Sequence, residues 1–230
     1  MAMTHLPLVF SLLALALIGS LEASTQLACK NSNILLGIKK ITKKDKEKLL
    51  DAHNRYRELV ASGKSLGQPA AQNMLVLSWD DYAAQKAFSW ASKCKLRPTR
   101  LKNKYNQTMG QNLYANMTTR NGDVNTTFNA WAGEMVKAWY DQVKVYNFGP
   151  DFSEKTGHYT QLVWATTSKL GCGYSYFKKG EHWHVGYLVC NYDSSGNKHN
   201  QPPYIKGKVN CKAHDLVRSR KYNHLCVEKN

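Results

Sequence analysis

Apolar positions recur with helical spacing from residue 42 onward: Leu49, Leu50, His53, Tyr56 and Val60 fall on one face. Thr42 stands at the N-cap position and Asp45 three residues later, a capping-box pair, and Gly63 supplies the stop. The stretch SGKSLGQPAAQ that follows is a Gly- and Pro-punctuated loop. A second helix is expected from a Ser78 cap with Asp81 three residues on. Tyr82, Ala83, Phe88, Trp90 and Ala91 carry its apolar surface as far as Cys94, and Pro98 forbids continuation. A basic loop follows, with Gly110-Gln111-Asn112 inside it. Residues 127–146 predict a third helix, with Trp131, Met135, Val136, Trp139, Val143 and Tyr146 on its apolar positions. After Gly149-Pro150 the period changes. Residues 170–177 and 182–192 are rich in Tyr, Phe, Val and Cys, and joined through Lys178–Glu181 they read as a β-hairpin. Residues 24–41 form an irregular lead-in and residues 193–230 an extended tail. Helices first and a hairpin second predict an α+β packing around one core.

The ends of the chain set the compartment. The run PLVFSLLALALIGSL at residues 7–21 is too short to span a bilayer comfortably, and Leu21-Glu22-Ala23 offers a cleavage context. Residues 1–23 are therefore expected to be a secretory signal peptide. Six cysteines follow it: Cys29, Cys94, Cys172, Cys190, Cys211 and Cys226. An even count in a secreted chain predicts three disulfides, with every connectivity open at this point. No Cys-x-x-Cys pair suggests a zinc ribbon. Three N-x-[ST] sequons, at Asn106, Asn116 and Asn125, lie within one polar stretch and are expected on a surface loop. Lys and Arg number 32 against 16 Asp and Glu, a formal net charge of +16. Such a surface favours anionic partners.

Two stretches carry a family resemblance. Gly157-His158-Tyr159-Thr160-Gln161-Leu162-Val163-Trp164, running on to Gly171-Cys172-Gly173, resembles the first signature of the CAP superfamily of cysteine-rich secretory, antigen 5 and pathogenesis-related proteins. Tyr187-Leu188-Val189-Cys190-Asn191-Tyr192-Asp193-Ser194-Ser195-Gly196-Asn197 resembles the second. Ala52-His53-Asn54-Arg55-Tyr56-Arg57, Gln68-Pro69-Ala70-Ala71-Gln72-Asn73-Met74 and Trp79-Asp80 extend the likeness toward arthropod venom and salivary antigen 5 proteins. The resemblance covers residues 42–204, between the lead-in 24–41 and a basic tail 205–230. It implies a three-layer α-β-α sandwich with a disulfide-closed C-terminal tail. It further implies pairing of Cys172 with Cys190 and of Cys29 with Cys94, which leaves Cys211 with Cys226.

Many members of that family carry two His and two Glu in a central cleft, a set suited to zinc. Position by position, that tetrad falls here on Pro98, Gln111, Gln142 and His158. One imidazole and no carboxylate remain, so no metal cofactor is expected. Asp141, one residue along the helix, points about 100° away from Gln142. His182 and His184 lie on one face of a strand, a spacing that could bind metal, but exposed strand histidines are the expectation. A metal-dependent hydrolase is thus the disfavoured alternative, because amides cannot shuttle protons, and no Gly-x-Ser-x-Gly elbow replaces it. The expectation is a secreted, monomeric non-enzyme that binds its target. One candidate ligand is a fatty acid, eicosanoid or sterol, held in a slot at Trp131, Met135, Trp139 and Tyr146. The other is a glycosaminoglycan or anionic membrane, met by the lysines of residues 39–48 and by two further clusters. These are Lys95, Arg97, Arg100, Lys102 and Lys104, and in the tail Lys206, Lys208, Lys212, Arg218, Arg220 and Lys221. Nucleic acid is not expected for a secreted chain, nor is integrin recognition: Asn121-Gly122-Asp123 lacks the cation of an Arg-Gly-Asp loop. A protein-partner scaffold is the third reading.

Overall fold

The computed structural model describes Cys29 and residues 33–229; the expected signal peptide 1–23 lies outside the described residues. The lead-in is more ordered than its sequence suggests, because Asn33–Ile38 forms β1. Helix α1 (Lys43–Ala61) starts as its capping box requires: Thr42 Oγ1 accepts from Asp45 N, and the Asp45 carboxylate accepts from Thr42 N. Helix α2 (Asp81–Ala91) is capped by Asp80, not by Ser78. Ser78–Trp79 is instead a short strand, β2, drawn into a parallel pair with Lys169–Leu170.

The basic loop also needs correction. Leu101–Lys102 is β3 and Thr108–Thr118 is β4, an eleven-residue strand that holds Gln111 and Asn116. Helix α3 spans Val124–Asp141 under an Asp123 cap, earlier than its apolar period begins, and Gln142–Val145 continues as a 3-10 turn. A short helix, α4 (Gly157–Leu162), precedes the hairpin β5 (Lys169–Lys179) and β6 (Trp183–Asp193). The tail folds back as β7 (Leu216–Arg218) and β8 (Cys226–Glu228).

The main sheet runs β1-β5-β6-β4-β3, with β2 beside β5. Helix α2 lies on one face, close enough that a Cβ on Gly173 would sit 2.4 Å from Phe88 N and one on Gly171 2.1 Å from Ala84 N. Only glycine admits that approach. Helices α1, α3 and α4 cover the other face, giving the three-layer α-β-α sandwich. Between layers lie Leu49, Val60, Met74, Phe128, Met135, Trp139, Leu162 and Leu188, all buried.

Arg57 locks the layers together. Fully buried, it donates to the carbonyls of Leu75 (2.6 Å), Leu162 (3.0 Å), Trp164 (2.8 Å), Ala165 (3.2 Å) and Thr167 (3.1 Å). Burial pulls its guanidinium down to about 9, still charged at neutral pH. The disulfides are Cys29–Cys94, Cys172–Cys190 and Cys211–Cys226, as the family resemblance implies. The tail docks on the body: Cys226 N donates to Met74 O, Val76 N donates to Cys226 O, and Tyr222 Oη donates to Asp51. No helix among the described residues is long and apolar enough to cross a membrane.

Candidate functional site

Three of the four tetrad positions fall in two separate clasps, and the fourth, Pro98, in neither. Gln142 closes α3, and His158 lies in the first turn of α4. The Gln142 Oε1 accepts from His158 N (3.0 Å) and Tyr159 N (3.1 Å), satisfying the free N–H groups that begin every helix. Those two donors fix the amide's orientation, so Nε2 must donate to His158 Nδ1 at 3.0 Å. His158 is therefore neutral with its proton on Nε2. Burial lowers its pKa, and its ring stacks near Trp139 at 28° and 6.4 Å.

Gln111 and Asn112 are successive residues of β4 and face opposite sides of the sheet. Asn112 joins the His158 side, donating to His158 O (2.9 Å) and Tyr192 Oη (3.1 Å). Gln111 turns to the α2 side. It accepts from Thr99 N (3.0 Å) and donates to Asn191 Oδ1 (2.9 Å), whose own amide donates to Ala83 O. Pro98 is exposed beside Thr99 and has no ligating atom in its side chain.

A zinc ion does not fit this donor set. Both amides spend oxygen and nitrogen on protein partners, and among the described residues no three His, Cys, Asp or Glu side chains gather. Asp141 pairs outward with Lys137 (2.5 Å) and Lys144 (3.9 Å). His182 and His184 do not share a site: His182 is exposed before β6, whereas His184 is buried and stacked on Tyr176 at 15°. Deeper in, His53 bonds Leu49 O (2.7 Å) and Tyr192 Oη (3.0 Å), and burial pulls its pKa down to about 4.

Of the four residues proposed for an apolar slot, Met135, Trp139 and Tyr146 are buried in the main core and Trp131 is half-buried at its margin. The Trp139 Nε1 donates to Leu113 O, and the Tyr146 hydroxyl to Gly149 O. An apolar groove of about 510 Å³ opens elsewhere, lined by Ile38, Ile41, Trp79 and Phe88 together with Lys39, Lys40, Lys46 and Asp81. Lys39 is neutralised by Asp45 (3.1 Å) and Lys46 by Asp81 (2.6 Å), while Lys40 is exposed without a carboxylate among the described residues.

Arg97, Arg100, Lys102 and Lys104 are exposed and Lys95 half-buried, and among the described residues none has a carboxylate within 4.0 Å. Lys95 sits over Trp90 and Lys104 over the exposed Tyr105. In the tail, Lys206, Lys208, Lys212, Arg218 and Arg220 are exposed, and Lys221 lies 3.9 Å from Asp51. Asp123 is exposed and its carboxylate accepts from Asn125 N, Thr126 N and Thr126 Oγ1, capping α3. The sequons divide: Asn106 is exposed in a turn and Asn125 in the first turn of α3, but Asn116 lies within β4, not on a loop.

The family model for the cysteine-rich secretory protein family, CAP, matches residues 50–192. The chain is 52% identical to a salivary antigen-5 of Dipetalogaster maximus, over all of this chain and 92% of that protein. It is 40% identical to a venom allergen 5 of Vespa magnifica, over 72% of this chain and 74% of that one. Among solved structures, NaASP2 with Zn2+ superposes with a TM-score of 0.64 at 22% identity, covering 86% of this chain and all of that one.

Proposed function

We propose that this chain, which belongs to the cysteine-rich secretory protein (CAP) family in its antigen 5 and venom allergen-like form, is secreted and works by binding, not by tetrad catalysis. Salivary and venom relatives and the three disulfides support an extracellular effector. The partner is a sulfated glycosaminoglycan. The observation that carries this reading is the run from Lys95 to Lys104, whose cations have no carboxylate partner among the described residues. A polyanion supplies the missing countercharge, and Tyr105 adds a face for a sugar ring. Hydrolysis has no support: a base is needed at position 111 or 142, and both amides are committed to other bonds.

Heparin-affinity elution of the mature chain tests this. Retention beyond physiological salt is expected, weakening when Arg100, Lys102 and Lys104 are changed to Glu. Elution of the parent with the unretained fraction refutes the reading. Retention on anionic vesicles but not on heparin moves the target to a membrane.

The groove beside Lys40 favours a second reading, a small apolar anion such as a fatty acid or eicosanoid. A sterol, which lacks the charge, is the weaker fit. Mass spectrometry of an organic extract of the secreted protein checks it: a stoichiometric lipid supports the groove, and an empty extract after incubation with a lipid panel rejects it.

A further inference from the structure

The outer edge of β4 is open. β3 pairs only with Thr108 and Met109, so from Gly110 to Thr118 the strand has β6 on one side and no strand on the other among the described residues. Near its start, α3 and α4 reach it through Trp139 and through the Asn112–His158 bond. Beyond Leu113 no side chain of either helix donates to it among the described residues. An edge of this kind is a template for pairing with another chain, and proteins blunt it with charges, proline or a cover. Residues 108–118, TMGQNLYANMT, contain neither a charge nor a proline.

They do contain a sequon. Asn116 is half-buried, makes no side-chain hydrogen bond among the described residues, and lies opposite Gly186 of β6 on the α3 side of the sheet. Over Gly186 lies Trp131: a Cβ on that glycine would meet Trp131 Cε3 at 2.6 Å. The half-buried indole is thus the neighbour that the first sugar on Asn116 would meet, and an aromatic face suits the C–H face of a pyranose. Asn106 lies in the turn between β3 and β4, at the start of the same strand.

We propose that Asn116 carries an N-linked oligosaccharide that packs on Trp131 and covers the open β4 edge, keeping the chain from pairing with a second copy. The proposal rests on the reading that the chain is secreted. Attachment takes the oligosaccharide from a polyprenyl-pyrophosphate donor. A bond forms from the sugar C1 to Asn116 Nδ2, the C1–O bond to pyrophosphate breaks, and the amide proton leaves with the pyrophosphate group. Transfer to the unfolded chain makes the later strand position no obstacle.

The test is glycopeptide mass spectrometry and light scattering on full chains expressed in insect cells. The wild type and Thr118→Ser, which keeps the sequon, are expected to be glycosylated at Asn116 and monomeric. Asn116→Gln and Thr118→Ala remove the sequon by different routes, and both are expected to self-associate with concentration, approaching about twice the monomer mass as a strand-paired dimer forms. Circular dichroism matching the wild type confirms that they fold. A bare Asn116 in a secreted monomer, a glycosylated dimer, or unglycosylated variants that stay monomeric would each overturn the proposal. Recovery of the chain only from inside the cells would instead refute the secretion reading.

Discussion

Gln142→Glu probes the clasp at the position where the family resemblance implies a carboxylate. In the wild type the amide nitrogen donates to His158 Nδ1 at 3.0 Å. A glutamate there still accepts from His158 N and Tyr159 N, but it sets a second acceptor against Nδ1. The conflict disappears only when His158 takes a proton. A carboxylate at this distance raises an imidazole pKa by about 1–3 units, or roughly 1.4–4 kcal/mol. In the wild type, burial holds His158 below its ordinary 6.5, so the unfolded chain protonates first and this residue's contribution falls as pH drops below 6.5. In the variant the carboxylate raises the folded pKa, so the stability it adds to the protonated form is present at low pH and is lost as pH rises through that pKa. Denaturant unfolding of both proteins at pH 5.5 and pH 8 reads the sign: the variant's deficit shrinks or reverses at the lower pH. NMR titration of His158 reads the pKa directly. A deficit equal at both pH values, with an unshifted His158, refutes the clasp.

Arg57→Met leaves the buried carbonyls of Leu75, Leu162 and Thr167 without a donor, while those of Trp164 and Ala165 keep Thr167 N and Leu75 N. At about 1–3 kcal/mol for each unsatisfied group, urea unfolding should show a loss of at least ~3 kcal/mol, and a loss under ~1 kcal/mol contradicts the assignment. His53 is held at about 4 by burial, so stability should fall by about 3 kcal/mol as pH drops from 6.5 to 4. His53→Gln should flatten that slope in melts across the range, and an unchanged slope would count against it. Replacing both Cys211 and Cys226 by Ala opens a bridge with a separation of 15 residues, an expected cost of about 3 kcal/mol. Limited proteolysis should then cut first in residues 205–229, and protection equal to the wild type would contradict the tail's dependence on the bridge.

Much of this fold is written locally. Thr42 and Asp45 settle the start of α1 within four residues, and β5 and β6 announce themselves through Tyr, Val and Cys on both faces. Strand β4 does not. Its alternation sets Leu113, Ala115 and Met117 against Asn112, Tyr114 and Asn116, and only pairing with β6 makes it a strand. Ser78 has the chemistry of a cap, but the parallel bridge to Lys169 claims its backbone and leaves capping to Asp80. At the site, the four tetrad positions are what the family resemblance implies. That resemblance could not show that Gln111 and Gln142 serve opposite faces of the sheet, which depends on strand parity. The groove at Ile38, Ile41, Trp79 and Phe88 is assembled from three distant segments, so no single window of sequence carries its signal.

The most direct test of the proposal that this chain works by binding and not through a metal is calorimetric titration of the mature chain with zinc at neutral pH. The clasp geometry predicts no stoichiometric heat, in the wild type and in His158→Ala alike. One-to-one zinc binding that disappears in His158→Ala would contradict it and reopen metal-dependent hydrolysis.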